Sequence, residues 1–388
     1  MEKVIFIATN EFDAFAGSEM LWAESVRLMA AQGCRVEVNI PAWTSIPERI
    51  SCLMDAERVF FESRPGSAPM ARRLLAKMGA SPLEDYFRNY RRNYLRRCRP
   101  EVVVISQGGL VDGVSWMESC VELGIPFVAI VHLVADALWP SPNEIERSIL
   151  AYPEAKQVFF VSEHNRALAT HQLGVDFSES LIVRNPYNVD YDTEATWPAC
   201  SGEWNLACVG RLGAEHKGQD LIVEVLSSSR WRERPLKITL FGQGHHRSLL
   251  EGLIKHYGTK NVHFGGYTRG IAEVWRNHHA MIMPSRYEGL PIALVEAMLC
   301  HRMAIVTDVG GNTELVEDNV NGFVAAAPSV QAVDNALERA WGSRSDWQEM
   351  GLNAGKKVRS EIRENPVADF MEILLGAARP ADKQVTEL

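Results

Sequence analysis

From Val4 onward the chain alternates between short, nearly uninterrupted apolar runs and longer stretches with helical spacing. The runs are Val4–Ala8, Arg35–Ile40, Arg58–Phe61, Val102–Ser106, Phe127–Val131, Val158–Val161 and Leu181–Arg184. Runs of this kind read as strands of a parallel sheet covered on both faces, because alternate side chains must all find apolar neighbours. Between them lie amphipathic stretches such as Met20–Ala31, with apolar residues at 20, 21, 25, 28 and 29 or small residues in their place. That alternation means doubly wound α/β layers. It stops at 185–204, NPYNVDYDTEATWPACSGEW, which has turn residues and no period, and restarts with Leu206–Val209, Ile238–Phe241, Val262–Phe264, Met281–Met283 and Ala304–Val306. With roughly 100–200 residues per domain, 388 residues accommodate two. The expectation is two facing Rossmann-like domains, 1–190 and 203–365, with a central cleft at their strand ends. A helix over 366–377 carries Val367, Phe370, Met371, Leu374 and Leu375 on one face and needs a surface, expected on the first domain; 378–388 reads as a frayed tail.

Composition removes several classes. At 46% hydrophobic and 23% charged residues, the chain is neither disordered nor fibrous. Its seven scattered cysteines include no C-x-x-C and read as buried thiols of a reducing, cytoplasmic compartment. MEKVIFIATN lacks the order of a secretory leader, and no uncharged apolar stretch approaches the ~20 residues that cross a bilayer. The net charge of −9 disfavours nucleic acid, but residues 71–99 hold eight Arg and one Lys against Glu84 and Asp85, a local +7. Two readings stay open for 72–99. Residues 86–99 are an exposed helix with Tyr86, Phe87, Tyr90 and Tyr94 turned to the core, or part of a basic aromatic face for an anionic membrane or a lipid-diphosphate acceptor.

Ligands of doubly wound sheets bind outside the carboxyl ends of the strands, so chemistry belongs to the loops that follow them. After Leu206–Val209 comes GRLGAEHKG, with Arg211 and Lys217 in a glycine-bearing loop that leads to a helix. Two fixed cations, loop amides and a helix N-terminus together suit an anion with several oxygens. After Met281–Met283 comes PSRYEGLP and then IALVEAML. Gly289 lets backbone approach a ligand, Pro291 suits the start of a helix, and Glu296 can accept hydrogen bonds from paired hydroxyls. Glu11/Glu19 and Glu146/Glu154 are also eight apart, so the signal is the context of Glu288 and Glu296, not their spacing.

VGRLGAEHKG (209–218), FGQG (241–244), PSRYEGLPIALVEAM (284–298) and VGGNTELVEDNVNGFV (309–324) resemble, in order, the nucleotide-sugar domain of the retaining glycosyltransferases of family 4, a group 1 family with the GT-B fold. In the first half AGSE (16–19), His132 after PFVAIV, and IVRNPYNVD (182–190) are similar to the corresponding segments. The resemblance implies an enzyme that moves a sugar, without metal or other cofactor, from a nucleotide-sugar donor to a glycan or lipid-linked acceptor, in synthesis of cell-surface polysaccharide or lipopolysaccharide. It implies Arg211 and Lys217 on the diphosphate, and Glu288, Gly289 and Leu290 on the donor sugar. Gly242 and Gly244 fall in the donor-binding turn, Glu296 on the ribose, Gly17 on the leaving phosphate and His132 beside the transferred sugar. Arginine, lysine and amide donors would stabilise charge growing on the leaving group, one such donor being worth about 3 kcal/mol. Peripheral contact with the inner face of a membrane through 72–99 is a further expectation. The chain departs from the family where Ala16-Gly17-Ser18 replaces a glycine pair and Asn185-Pro186-Tyr187-Asn188-Val189-Asp190 replaces P-N-G-V-D.

Asp190-Tyr191-Asp192, a D-x-D in aperiodic sequence, reads as solvated acid. His216, His245, His246, His278 and His279 have no helical ligand spacing and, if adjacent on a helix, point apart; no metal site is expected from them. A nucleotide-sugar epimerase or phosphorylase on the same scaffold, and a non-catalytic nucleotide-sugar-binding subunit, remain the alternatives.

Overall fold

The computed structural model describes residues 3–10, 17–43, 46–64, 81–193, 196–199 and 202–377. Its contacts divide the chain into two units, Met1–Pro186 with Asn365–Leu388, and Tyr187–Glu364. The division falls after Pro186, not after residue 190. Tyr187 and Tyr191 donate their hydroxyls to the carbonyls of Glu364 and Arg359, so the start of the connecting segment folds with the second unit. Ala16, residues 71–80, Cys200 and the tail 378–388 lie outside the described residues.

The first unit is a seven-stranded, all-parallel sheet of β1 (Lys3–Ala8), β2 (Arg35–Pro41), β3 (Val59–Arg64), β4 (Val102–Gln107), β5 (Phe127–Val131), β6 (Gln157–Phe160) and β7 (Leu181–Ile182). Their order is β3-β2-β1-β4-β5-β6-β7, so the direction of winding reverses between β1 and β4. The two cores follow from the period of two. Val4, Phe6 and Ala8 face the helix Gly17–Ala31, whereas Ile5 and Ile7 face Tyr94, Leu95, Val114 and Met117 of the helices on the other side. The C-terminal helix Pro366–Ala377 belongs to the first of these cores, where Val367, Phe370, Met371 and Leu374 are buried and Phe370 meets Phe159 edge-on at 5.2 Å.

The second unit is a six-stranded parallel sheet of β8 (Trp204–Val209), β9 (Leu236–Phe241), β10 (Val262–Gly266), β11 (Ala280–Met283), β12 (Met303–Thr307) and β13 (Gly322–Ala325), ordered β10-β9-β8-β11-β12-β13. Here the reversal lies between β8 and β11, the two strands that carry the Arg–Lys loop and the glutamate loop. Four-residue β13 is not read from the sequence as a strand, because its apolar run is short and hidden behind Asp318–Asn321.

Other expectations need correction. Cys52 is exposed and Cys34 half-buried, so not every thiol is interior. The charge of the Ser81–Cys98 helix is partly offset by neighbouring elements: Arg88 and Arg92 pair with Glu122, and Arg97 with Glu62. Tyr94 is buried while Tyr86 is exposed, so its aromatics divide between core and solvent. Among the described residues, no helix is long and apolar enough to cross a membrane.

Candidate functional site

In the second unit, the loops leaving β8 and β11 meet at the point where the winding reverses, which is where such a sheet opens a crevice. Lys217 Nζ donates to Glu288 Oε1 at 2.6 Å, and Ser285 Oγ donates to the same oxygen at 2.7 Å. Glu288 is only 5% exposed. Burial by itself would raise its pKa, but the Lys217 ammonium and the His216 ring nearby outweigh that and hold it down at about 2. His216 joins the network from the side: its Nδ1 lies 3.5 Å from Arg211 Nη2 and its Nε2 3.8 Å from Glu288 Oε2, the latter too far for a hydrogen bond. Its ring stacks on Tyr287 at 4.3 Å. Lys217 and Glu288 are therefore in direct contact, with Arg211 beside them against His216.

Each loop is held from behind. Arg286 grips Asp220 with two nitrogens at 2.8 and 2.7 Å, and its amide donates to His216 O at 2.7 Å, which binds the glutamate loop to the cation loop. Gly311 N donates to Gly289 O at 2.7 Å, and Thr307 Oγ1 to Ser285 O at 2.6 Å. Gly310 has φ +54°, and a Cβ there would stand 2.1 Å from Glu288 O, so the VGGN segment must be this slender for Glu288 to hold its place. Gly242 and Gly244 serve a similar packing need: Cβ atoms would meet Gly210 O at 2.0 Å and Leu212 O at 2.3 Å.

Glu296 lies inside the helix Ile292–Leu299 that follows, 2% exposed. Its Oε1 accepts from Asn188 N at 2.9 Å and Asn188 Nδ2 at 2.7 Å. Asn188, noticed in the sequence only as a departure from P-N-G-V-D, is thus bound to the second glutamate. Ser285 and His216 were also missed as site residues; the first stood inside the quoted motif, and the second was grouped with the other histidines. His278 and His279 are structural: Nδ1 of the first contacts Val274 O, and Nδ1 of the second accepts from Asn205 N. His245 and His246 lie in a turn rather than on a helix, and both face Glu215, which the reasoning from helix geometry did not foresee. Asp190 and Asp192 are exposed, as solvated acids are.

In the first unit, Gly17 opens the helix after β1, and His132 follows β5. Ser106, at the end of β4, connects them: its Oγ lies 3.2 Å from His132 Nε2 and 3.5 Å from Ser18 O. His132 is buried, its Nδ1 has no partner among the described residues, and burial lowers its pKa to about 3. The imidazole is neutral at pH 7, with one nitrogen uncommitted.

Residues 195–357 match the family model described as glycosyl transferases group 1. The chain is 30% identical over 159 residues to an alpha-D-kanosaminyltransferase of Streptomyces kanamyceticus, covering 39% of this chain and 41% of that one. It is 28% identical over 207 residues to a GDP-mannose-dependent phosphatidylinositol monomannoside mannosyltransferase of Mycolicibacterium smegmatis, covering 47% and 52%. The chain thus spans about half or less of the length of these curated relatives. Among solved structures, a glycosyltransferase of Rickettsia africae superposes with a TM-score of 0.76 at 13% identity, over 98% of this chain and 100% of that one. The Anabaena protein HepE in complex with UDP-glucose gives 0.73 at 17%, over 97% and 100%. The two parallel-sheet units have the GT-B architecture of these neighbours.

Proposed function

We propose that this chain, whose residues 195–357 match the model of group 1 glycosyl transferases, transfers a sugar from a nucleotide-sugar donor with retention of configuration and without a metal ion. The reading rests on one observation: Lys217 and Glu288, from loops at the reversal point of a doubly wound sheet, are in direct contact with Arg211 close by through His216. Two fixed cations suffice to hold a diphosphate, and the growing charge on that leaving group is stabilised by groups already oriented before it forms. Glu288, ionised and fixed, then aligns Lys217 and accepts from a sugar hydroxyl. Glu296 accepts from the ribose, steadied by Asn188. In the first unit, Gly17 and the neutral His132 are assigned to the leaving phosphate and the acceptor hydroxyl. Departure of the phosphate on the face attacked by the acceptor lets that phosphate take the acceptor's proton, which retains configuration and calls for no separate base.

The acceptor is proposed to be a glycan or lipid-linked glycan, as in surface polysaccharide or lipopolysaccharide synthesis, with the enzyme lying against an anionic membrane through 72–99. Arg96 and Arg99 are exposed and have no ion pair among the described residues, and they are the groups assigned to this contact. The test begins with melting curves across UDP-, GDP-, ADP- and dTDP-sugars, then transfer with the donor that shifts the curve, with and without EDTA. One donor should stabilise the protein, and EDTA should leave turnover in place. If no nucleotide sugar shifts the curve, or if EDTA abolishes turnover and a divalent ion restores it, the proposal is wrong. Sedimentation with anionic but not neutral vesicles tests the membrane contact.

A further inference from the structure

We propose that Glu215, His245 and His246 form a binding site for a single divalent transition-metal ion of the zinc class, separate from the sugar-transfer reaction and not dependent on that assignment. The sequence places the two histidines in the turn Gly242–His246, between β9 and the helix Arg247–Tyr257, where successive side chains need not diverge as they do on a helix. Their rings lie 4.2 Å apart at 59°. Glu215, from the loop after β8, reaches both: Oε1 is 3.0 Å from His245 Nε2 and Oε2 is 2.7 Å from His246 Nδ1. One ligand atom from each of the three residues falls within 4.8 Å of the others.

The arrangement is carried on tied backbone. Leu212 N donates to Gln243 O at 2.9 Å, and His246 N to Leu212 O at 3.1 Å. Ala214 N lies 3.0 Å from His246 Nδ1 and Glu215 Oε2 2.7 Å from the same nitrogen, so the ring is held facing the carboxylate. Two imidazoles and one carboxylate are the donor set of zinc, cobalt or nickel, at bond lengths of about 2.0–2.2 Å; magnesium and calcium prefer all-oxygen cages. The side chains of His245 and Glu215 are 59% and 47% exposed, which gives the ion an entry path and leaves positions for water. Because the same loop carries Arg211 and Lys217, occupancy would fasten the donor loop to the turn after β9.

The test uses the full chain, stripped with EDTA and dialysed. Zn²⁺ is titrated calorimetrically and Co²⁺ is followed by its visible d–d bands. The expected result is one ion per chain, weakened at least tenfold in His245→Ala and in Glu215→Gln, with no matching affinity for Mg²⁺. Both substitutions are at exposed side chains, and an unchanged melting curve without metal establishes that each variant is folded. Absence of binding up to roughly 1 mM metal, equal binding by wild type and both variants, or equal preference for Mg²⁺ would each overturn the proposal.

Discussion

Replacing Glu288 by Gln keeps the shape of the side chain and removes its charge, so it isolates what the ion pair with Lys217 contributes. Two routes give the magnitude. The carboxyl is held at about 2 against an ordinary 4.5, and a displacement of that size corresponds to about 3 kcal/mol of folding free energy at neutral pH. Independently, removing one partner of a buried pair leaves an ammonium without its counter-ion, at a cost of about 3–5 kcal/mol. The sign follows from the depressed pKa. The contribution is complete above the unfolded value and is lost as pH falls from 4.5 towards 2, because the unfolded chain takes up the proton first. Urea unfolding of the second unit, reported by buried Trp231, Trp275 and Trp347, should show E288Q less stable by about 3 kcal/mol at pH 7, with a flatter acid limb. Nucleoside diphosphate should still bind, since Lys217 remains, whereas sugar transfer should fall by at least about a hundredfold. A loss below about 1 kcal/mol with the acid limb unchanged would refute the reasoning that Glu288 is held ionised by Lys217.

Gly310→Ala should displace Glu288, since the new methyl group would stand 2.1 Å from its carbonyl at a positive φ; we expect a stability loss of about 1–3 kcal/mol by urea titration and a larger fall in turnover than in diphosphate affinity. Arg302→Met should destabilise the second unit by about 3 kcal/mol in the same assay, because Arg302 is 1% exposed and donates to the carbonyls of Thr196, Trp275, His278 and Cys300, all of which the thioether would leave unsatisfied. His132, lowered to about 3 by burial, makes the first unit lose about 2 kcal/mol between pH 7 and pH 5, as the unfolded imidazole protonates and the folded one does not. His132→Gln should abolish that part of the slope, and an identical slope in the variant would remove His132 as its source.

The strands of both sheets were legible because a strand buried on two faces must be apolar throughout: Val4–Ala8 and Phe127–Val131 have few other folds open to them. β13 was not, since GFVA contributes four residues and owes its place to pairing with β12 rather than to its own pattern. In the site, motif position indicated Lys217 and Glu288, and the structure supplies their contact. What spacing could not convey is lateral support across distant sequence: Asn188 reaching Glu296, Ser106 reaching His132, and Arg286 bridging to Asp220. For His245 and His246 the argument from helix faces does not apply, because they lie in a turn. Charge counted along the basic segment omits Glu62 and Glu122, which come from β3 and from the helix Val114–Leu123 and offset part of it.

The closing helix has a consequence for how the protein is made. Val367, Phe370, Met371 and Leu374 fill a core whose other members were synthesised first, with the whole second unit translated in between. On the ribosome, the leading half must wait with an apolar face uncovered until the helix Pro366–Ala377 clears the exit tunnel. A premature stop near residue 360 would therefore injure the half furthest from it in sequence, and leave the adjacent half largely whole.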